Sequence, residues 1–163
     1  MVCHGNICRS PFAAALLARD LAPAGVRVDS AGFTAPNRPC PPEAVTVAAR
    51  RGVDLSAHRS RLLTATAAHA ADLVVVMDPD QGRSLCDRFG RLWRDILVLG
   101  DLDPERIAAR PIRDPVNQDA EVFEEAYARI ERCIAQLIRA LGVNHSPPLR
   151  HRPRPLGSAV PPP

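Results

Sequence analysis

The chain has 163 residues, of which 46% are hydrophobic and 24% charged, and its formal net charge is +3. This composition excludes general disorder, and the small positive excess has no basic and aromatic pattern that would indicate a nucleic-acid partner. No apolar run approaches the roughly 20 residues that span a bilayer and no signal peptide opens the chain, so we predict a cytoplasmic protein without a membrane partner.

Helical and extended patterns alternate along the chain. Helices are predicted at residues 11–21, 41–51, 81–89 and 120–141, and the last of these is strongly amphipathic. Strands are predicted at residues 26–30, 71–77 and 96–99, the second as a β-branched run typical of a strand buried on both faces. This alternation predicts an α/β fold with a parallel sheet covered on both faces, whose ligands bind at the carboxyl ends of the strands.

The two ends of the chain depart from this pattern. Residues 143–163 are rich in Pro and Arg and have no periodicity, so we predict a disordered tail that follows a single domain at residues 1–142. At the other end, only Met1 and Val2 precede a loop that should follow a central strand, whereas strands usually have five or six residues. We therefore expect the first strand to be truncated and the natural start of the protein to lie upstream.

The loop at residues 3–9 reads Cys-His-Gly-Asn-Ile-Cys-Arg and is followed by Ser10 and Pro11. A loop that runs from a strand into a helix N-terminus provides converging backbone N–H groups that bind a phosphate dianion. Gly5 is predicted to permit the tight turn, and Asn6 tolerates a left-handed backbone. The predicted phosphate-binding residues are those that follow Cys3: His4, Gly5, Asn6, Ile7, Cys8 and Arg9.

Chemistry in this loop centres on Cys3. Arg9 offers a planar pair of donors to two phosphate oxygens, which Lys could not match. The same N–H groups and the helix dipole are expected to favour the thiolate of Cys3, and Ser10 is placed to donate a hydrogen bond to it. The loop therefore predicts a phosphatase that hydrolyses phosphate monoesters through a phosphocysteine intermediate.

The segment from Val2 to Pro11 resembles the signature of the low-molecular-weight protein tyrosine phosphatases at every fixed position. The resemblance continues through residues 30–32, 52–59, 71–78 and 114–115 and covers about residues 1–142. It implies a three-layer fold with a four-stranded parallel sheet in the order 2-1-3-4. It also implies a hydrolase that acts on protein phosphotyrosine or a small aryl phosphate.

A general acid must protonate the leaving oxygen, and three Asp-Pro dipeptides, beginning at Asp78, Asp103 and Asp114, could supply it. Asp-Pro commonly marks only a turn. Asp78 directly follows a buried strand, which favours a turn, and Asp103 lies in a segment without a clear pattern. Asp114 stands in the loop before the last helix, where the resemblance places the general acid, so we predict this role for Asp114.

The resemblance also assigns roles around the loop. It implies that Cys8 forms a reversible disulfide with an oxidised Cys3, although Cys8 could simply be a small apolar residue that lines the loop. It further implies that His58 supports Asn6 and that, together with Ser30, it holds the loop rigid. The other cysteines are predicted to be ordinary residues, and no cysteine or histidine spacing indicates a metal or other cofactor.

The residues predicted to line the substrate cleft depart from the family pattern. Better-studied members follow Asp-Pro with Tyr or Trp, whereas Val116, Asn117 and Gln118 follow here, and Ala35 and Pro36 stand where many members carry an aromatic residue. We therefore expect activity on aryl phosphates with reduced selectivity against small alkyl phosphates. Alternatives are a thiol-dependent arsenate reductase and a non-catalytic phosphate-binding module. We predict a monomer.

Overall fold

Four short parallel strands form one sheet in the computed structural model, which describes residues 1–105, 107 and 109–142. The strands, in chain order, are β1 at Val2–Cys3, β2 at Ala31–Gly32, β3 at Val74–Val76 and β4 at Ile96–Val98. Their order in the sheet is β2-β1-β3-β4, which confirms the predicted topology. Val2 lies opposite both Ala31 and Val76, so the two-residue strand β1 occupies the middle of the sheet.

Helices connect these strands and cover the sheet. They are α1 at Arg9–Leu21, α2 at Pro42–Arg50, α3 at Ala65–Ala70, α4 at Pro79–Phe89 and α5 at Ala120–Ala140. Short 3-10 turns lie at Ala22–Ala24, Trp93–Asp95 and Leu99–Leu102. Four of the five helices confirm the predictions to within two residues at each end. The fifth, α3, was not predicted, because its single turn and a half is too short to show an apolar period.

Two apolar clusters hold the three layers together. Helices α1, α2 and α5 bury one face of the sheet, where Phe12 and Tyr127 stack with ring centroids 4.0 Å apart. Helices α3 and α4 cover the other face, where Val74 and Val76 pack beside Leu85. Val75 of the same strand packs in the first cluster, so successive side chains of β3 point to opposite faces of the sheet. Because both faces are buried, the strand has no polar side, which explains its unbroken run of valines.

The predicted strand at residues 26–30 is wrong. These residues do not form a β-ladder, and Val26 is 45% exposed. Within the four-stranded sheet, β2 pairs with β1, so this ladder extends no further than β1 does, and Gly32 forms one isolated bridge to Leu62. The chain joins the sheet only at Ala31 and Gly32.

The predicted tail at residues 143–163 lies outside the described residues. Within the described part of the chain, no helix has both the length and the apolar character needed to cross a membrane. The carboxyl ends of β1, β3 and β4 meet at one edge of the sheet. The loop that contains Cys3 leaves the sheet at this edge.

Candidate active site

The loop at residues 3–9, here called the phosphate loop, turns directly from β1 into α1. Cys3 is 2% exposed, and its Sγ lies 3.0 Å from Oγ of Ser10 in the first turn of α1. The backbone N–H of Asn6 also donates to this sulfur at 3.3 Å. Both contacts place hydrogen-bond donors beside the position where negative charge would reside on a thiolate.

Asn6 is the structural centre of the phosphate loop. It is fully buried and left-handed, with a φ of 51° that asparagine tolerates better than most residues. Its side-chain N–H groups donate to the hydroxyls of Ser10 and Ser30, both at 2.9 Å, and its Oδ1 accepts from the backbone N–H of Arg61 at 2.8 Å. Nε2 of His58 lies 2.8 Å from the Asn6 carbonyl oxygen. The structure therefore brings both Ser30 and His58 to Asn6. The resemblance had implied that His58 supports Asn6 and that the two residues together hold the loop rigid.

Gly32 lies against the backbone of the phosphate loop, a contact that the sequence alone did not indicate. A Cβ at this position would lie 2.8 Å from the carbonyl oxygen of His4 and 2.9 Å from the amide nitrogen of Asn6. Next to it, the backbone N–H of Phe33 donates to the same His4 carbonyl at 2.8 Å. A glycine within a strand is the signal that could have identified this close approach.

Gly5 does not play the conformational part predicted for it. Its φ is not positive, and a Cβ there would meet Ile7 at 3.4 Å, which is an ordinary contact. The left-handed residue of the turn is Asn6, because its side chain secures that conformation through hydrogen bonds. Ile7 is 5% exposed and packs in the core, whereas His4 is exposed at the surface of the loop.

Arg9 lies in the first turn of α1 and is 3% exposed. One terminal nitrogen donates to the carbonyl of Ile112 at 2.9 Å, and the other is hydrogen-bonded to the Asp114 carboxylate. Its Nε is buried and has no hydrogen-bond partner among the described residues. The Nε of this buried guanidinium can donate to an oxygen of a phosphate dianion, while a terminal nitrogen stays bonded to the Asp114 carboxylate.

The fold separates the three Asp-Pro dipeptides. Asp78 caps α4, where its side chain accepts from the N–H of Gln81 at 2.8 Å. The Asp103 carboxylate is 2% exposed and pairs with Arg129 and Arg132 of α5. Asp114 alone reaches Arg9 of the phosphate loop, with a side chain that is 38% exposed. Asp119, five residues further on, caps α5 by accepting from the N–H of Val122.

Cys8 is a free thiol with 2% exposure at the start of α1. Burial, reinforced by the nearby Asp114 carboxylate, raises the pKa of this thiol far above its usual value. Its carbonyl oxygen accepts from the hydroxyl of Tyr127 at 3.2 Å, a contact that anchors the loop to α5. The redox role predicted for Cys8 stays a prediction.

The remaining cysteines are also free. Cys40 and Cys133 are buried in the apolar cluster that contains Cys3, whereas Cys86 packs against the cluster on the opposite face of the sheet. Among the described residues, no group of three or more His, Cys, Asp or Glu side chains could hold a metal ion.

Comparisons with known proteins agree with this geometry. The family model described as low molecular weight phosphotyrosine protein phosphatase matches residues 1–146. A probable low molecular weight protein-tyrosine-phosphatase, EpsP of Ralstonia nicotianae, is 40% identical over 146 residues, which cover 87% of this chain and 96% of that protein.

Solved structures show the same similarity. The tyrosine phosphatase Wzb from Escherichia coli K30, in complex with sulphate, superposes with a TM-score of 0.77 at 27% identity, covering 86% of this chain and 95% of that one. The YwlE arginine phosphatase from Geobacillus stearothermophilus superposes with a TM-score of 0.76 at 31% identity, covering 86% and 90%.

Proposed function

The chain belongs to the low molecular weight phosphotyrosine protein phosphatase family, and from that premise we propose that it hydrolyses phosphotyrosine in proteins through a phosphocysteine intermediate. One observation carries this proposal. Arg9, which ends the phosphate loop that begins at the Cys3 thiol, is hydrogen-bonded to the Asp114 carboxylate, although Arg9 and Asp114 are 105 residues apart in sequence. Phosphate binding alone would need neither the nucleophile nor the acid.

Substrate binding begins with the phosphate dianion. The backbone N–H groups of the phosphate loop and the helix dipole of α1 attract it, and Arg9 supplies its planar donors, including the Nε that has no other partner among the described residues. Arg9 then contacts both the phosphate and the side chain of Asp114. A phosphate held in this way presents phosphorus to Sγ of Cys3.

In the first chemical step, Sγ attacks phosphorus, so that an S–P bond forms as the P–O bond to the leaving group breaks. The protonated Asp114 donates its proton to the departing phenolate oxygen, and general acids of this kind contribute typically about 10² to 10⁴ in rate. The negative charge on the leaving oxygen is thereby removed as it develops.

In the second step, the Asp114 carboxylate accepts a proton from water, which attacks phosphorus as the S–P bond breaks. The released thiolate of Cys3 is stabilised by the hydroxyl of Ser10 at 3.0 Å and the N–H of Asn6 at 3.3 Å. Inorganic phosphate leaves, and Asp114 is protonated again for the next cycle.

The surroundings of the site suggest a modest preference for aromatic substrates. The loop after Asp114-Pro115 contributes the half-buried Val116 and an exposed, left-handed Asn117. Ala35 and Pro36, where many family members carry an aromatic residue, are exposed. Small side chains of this kind offer little stacking surface to a phenyl ring, so we expect small alkyl phosphates to be hydrolysed as well.

The test uses p-nitrophenyl phosphate and a phosphotyrosine peptide, with the unaltered protein, Cys3→Ser and Asp114→Asn. We expect Cys3→Ser to lower turnover by at least about a thousandfold while inorganic phosphate still binds. Asp114→Asn should lower turnover by about 10² to 10⁴. Added alcohol should divert the same fraction of phosphate to the alcohol for every aryl phosphate, since all pass through one phosphocysteine.

Other outcomes would favour other functions. An unaltered protein that folds and binds phosphate without turnover would favour a phosphate-binding module, and thiol-dependent reduction of arsenate would favour a reductase. Because the similar YwlE is an arginine phosphatase, a phosphoarginine peptide belongs in the same assay. Faster turnover of that peptide than of the phosphotyrosine peptide would contradict the proposed substrate.

A further inference from the structure

Arg129 of α5 reaches into the segment that leads to Asp114, whose described residues 103–105, 107 and 109–114 are here called the acid loop. Its side chain is buried, and its three nitrogens each donate to a different group. Nε donates to the Asp103 carboxylate at 2.9 Å, and the terminal nitrogens donate to the backbone carbonyls of Pro111 at 2.8 Å and Ala109 at 2.6 Å. One side chain thus fixes both ends of the segment that leads to Asp114.

The charge of Arg129 is balanced within the same cluster. Burial opposes ionisation of Asp103, but hydrogen bonds from Arg132 and from the N–H of Glu105, with the charges of Arg132 and Arg129, outweigh it and lower the pKa of this carboxyl. Arg132 donates to both carboxylate oxygens at 3.1 Å. Removing one partner of such a buried pair would leave an uncompensated charge, so Arg129 and Asp103 hold this position only together.

The attachment continues from these carbonyls to the site. The segment lies directly on Gly100, where a Cβ would be 2.0 Å from the carbonyl oxygen of Arg110. Two residues later, Ile112 donates its N–H to the carbonyl of Met77 at 2.8 Å, and its own carbonyl accepts from Arg9. Asp114 follows only two residues later, so its position depends on where residues 109–112 are held.

We propose that Arg129, held by Asp103, is a positioning residue for the general acid Asp114. This inference rests on the proposed function, because it concerns the proton that Asp114 donates there. An acid must come within about 2.6–3.2 Å of the leaving oxygen, and a misplacement of about 1 Å can cost 10²-fold in rate. Lysine cannot replace Arg129, since a single ammonium cannot reach two carbonyls and a carboxylate in one plane.

The test measures kcat/KM for aryl phosphates whose leaving phenols differ in acidity, from p-nitrophenyl to phenyl phosphate. This parameter reports the steps through departure of the phenol. A misplaced acid slows poor leaving groups most, so we expect Arg129→Lys to lower the value for phenyl phosphate at least about tenfold more than that for p-nitrophenyl phosphate. In an Asp114→Asn background, Arg129→Lys should have almost no further effect, because the acid through which it acts is absent.

Arg51→Lys is the matched control. Arg51 also links α5 to another part of the chain, through Glu124 at 2.6 Å and Glu131, but it has no part in the acid loop. It should lower the melting temperature without changing the ratio between leaving groups. Equal losses for all leaving groups in Arg129→Lys, or a further loss in the Asp114→Asn background, would overturn the proposal.

Hydrogen exchange keeps the two proposals apart. Arg129→Lys should speed amide exchange at residues 109–114 relative to both Arg51→Lys and the unaltered protein. Unchanged exchange there would overturn the positioning role, whether or not the protein turns over aryl phosphates, whereas failure of the unaltered protein to turn them over would overturn only the proposed function. If Arg129→Lys does not fold, Asp103→Asn serves in the same assays, with the same direction expected.

Discussion

The phosphate loop and the acid loop meet at Arg9 and Asp114, but they are held in different ways. Asn6 of the phosphate loop bonds to Ser10 four residues away in α1, and its other partners lie just before β2 and in the segment that follows α2. The acid loop is held by side chains from α5 and by Arg9, which is 103 residues distant from Ile112. Its position therefore depends on the complete tertiary structure.

This difference separates two kinds of defect. A change in the phosphate loop alters how phosphate and the thiolate are bound, so it should slow every substrate and both chemical steps. A change in the attachment of the acid loop alters only where the proton is delivered, so its effect should depend on the leaving group. Three substitutions test this contrast, in order of decreasing effect.

Gly32→Ala should have the largest effect, because the new methyl group would meet backbone atoms of His4 and Asn6 at 2.8 and 2.9 Å. These atoms must move by a few tenths of an ångström or more, and displaced loop N–H groups should lower kcat/KM by about tenfold to a hundredfold for all leaving groups alike. Ala31→Ser adds one atom to the neighbouring position and should retain most activity. Losses that vary with the leaving group would contradict the assignment of Gly32 to the phosphate loop.

Asn6→Ala should destabilise the fold by about 3 kcal/mol or more. The change removes three buried side-chain hydrogen bonds, each worth roughly 0.5–1.5 kcal/mol, and places alanine in a left-handed conformation that costs about 1–2 kcal/mol. Urea unfolding measures the change. Asn37→Ala is the control, since the exposed Asn37 is left-handed too, with a φ of 64°, and its substitution should show the conformational cost alone. Equal losses in the two variants would mean that the buried bonds contribute nothing.

Asp78→Ala should have the smallest effect and should touch stability only. Removing this helix cap costs about 1 kcal/mol, while turnover of p-nitrophenyl phosphate should stay within about twofold. Asp114→Ala, in contrast, is expected to reduce turnover greatly, since it removes the general acid. A large loss of turnover in Asp78→Ala would contradict the assignment of Asp78 as a helix cap without a part in the reaction.

Local spacing made the phosphate loop predictable. Cys3, Arg9 and Ser10 lie within eight consecutive residues between a strand and a helix, so their spacing alone indicates that they can act together. The alternation of helices with apolar runs likewise predicted the parallel sheet, whereas the strand order was implied by the family resemblance. Periodicity carries this information because burial on one or both faces is a local requirement of each element.

Tertiary structure alone decided the rest. The three Asp-Pro dipeptides have the same local chemistry, and only packing makes one a helix cap, one the partner of Arg129 and one the neighbour of Arg9. Residues 26–30 have a strand-like pattern but do not join the ladder, because pairing depends on the neighbouring strand. Contacts between residues far apart in sequence leave no spacing signal. The sequence therefore indicated the phosphate loop, and through the resemblance Asp114, but only the fold showed how Arg129 and Arg9 hold the acid loop.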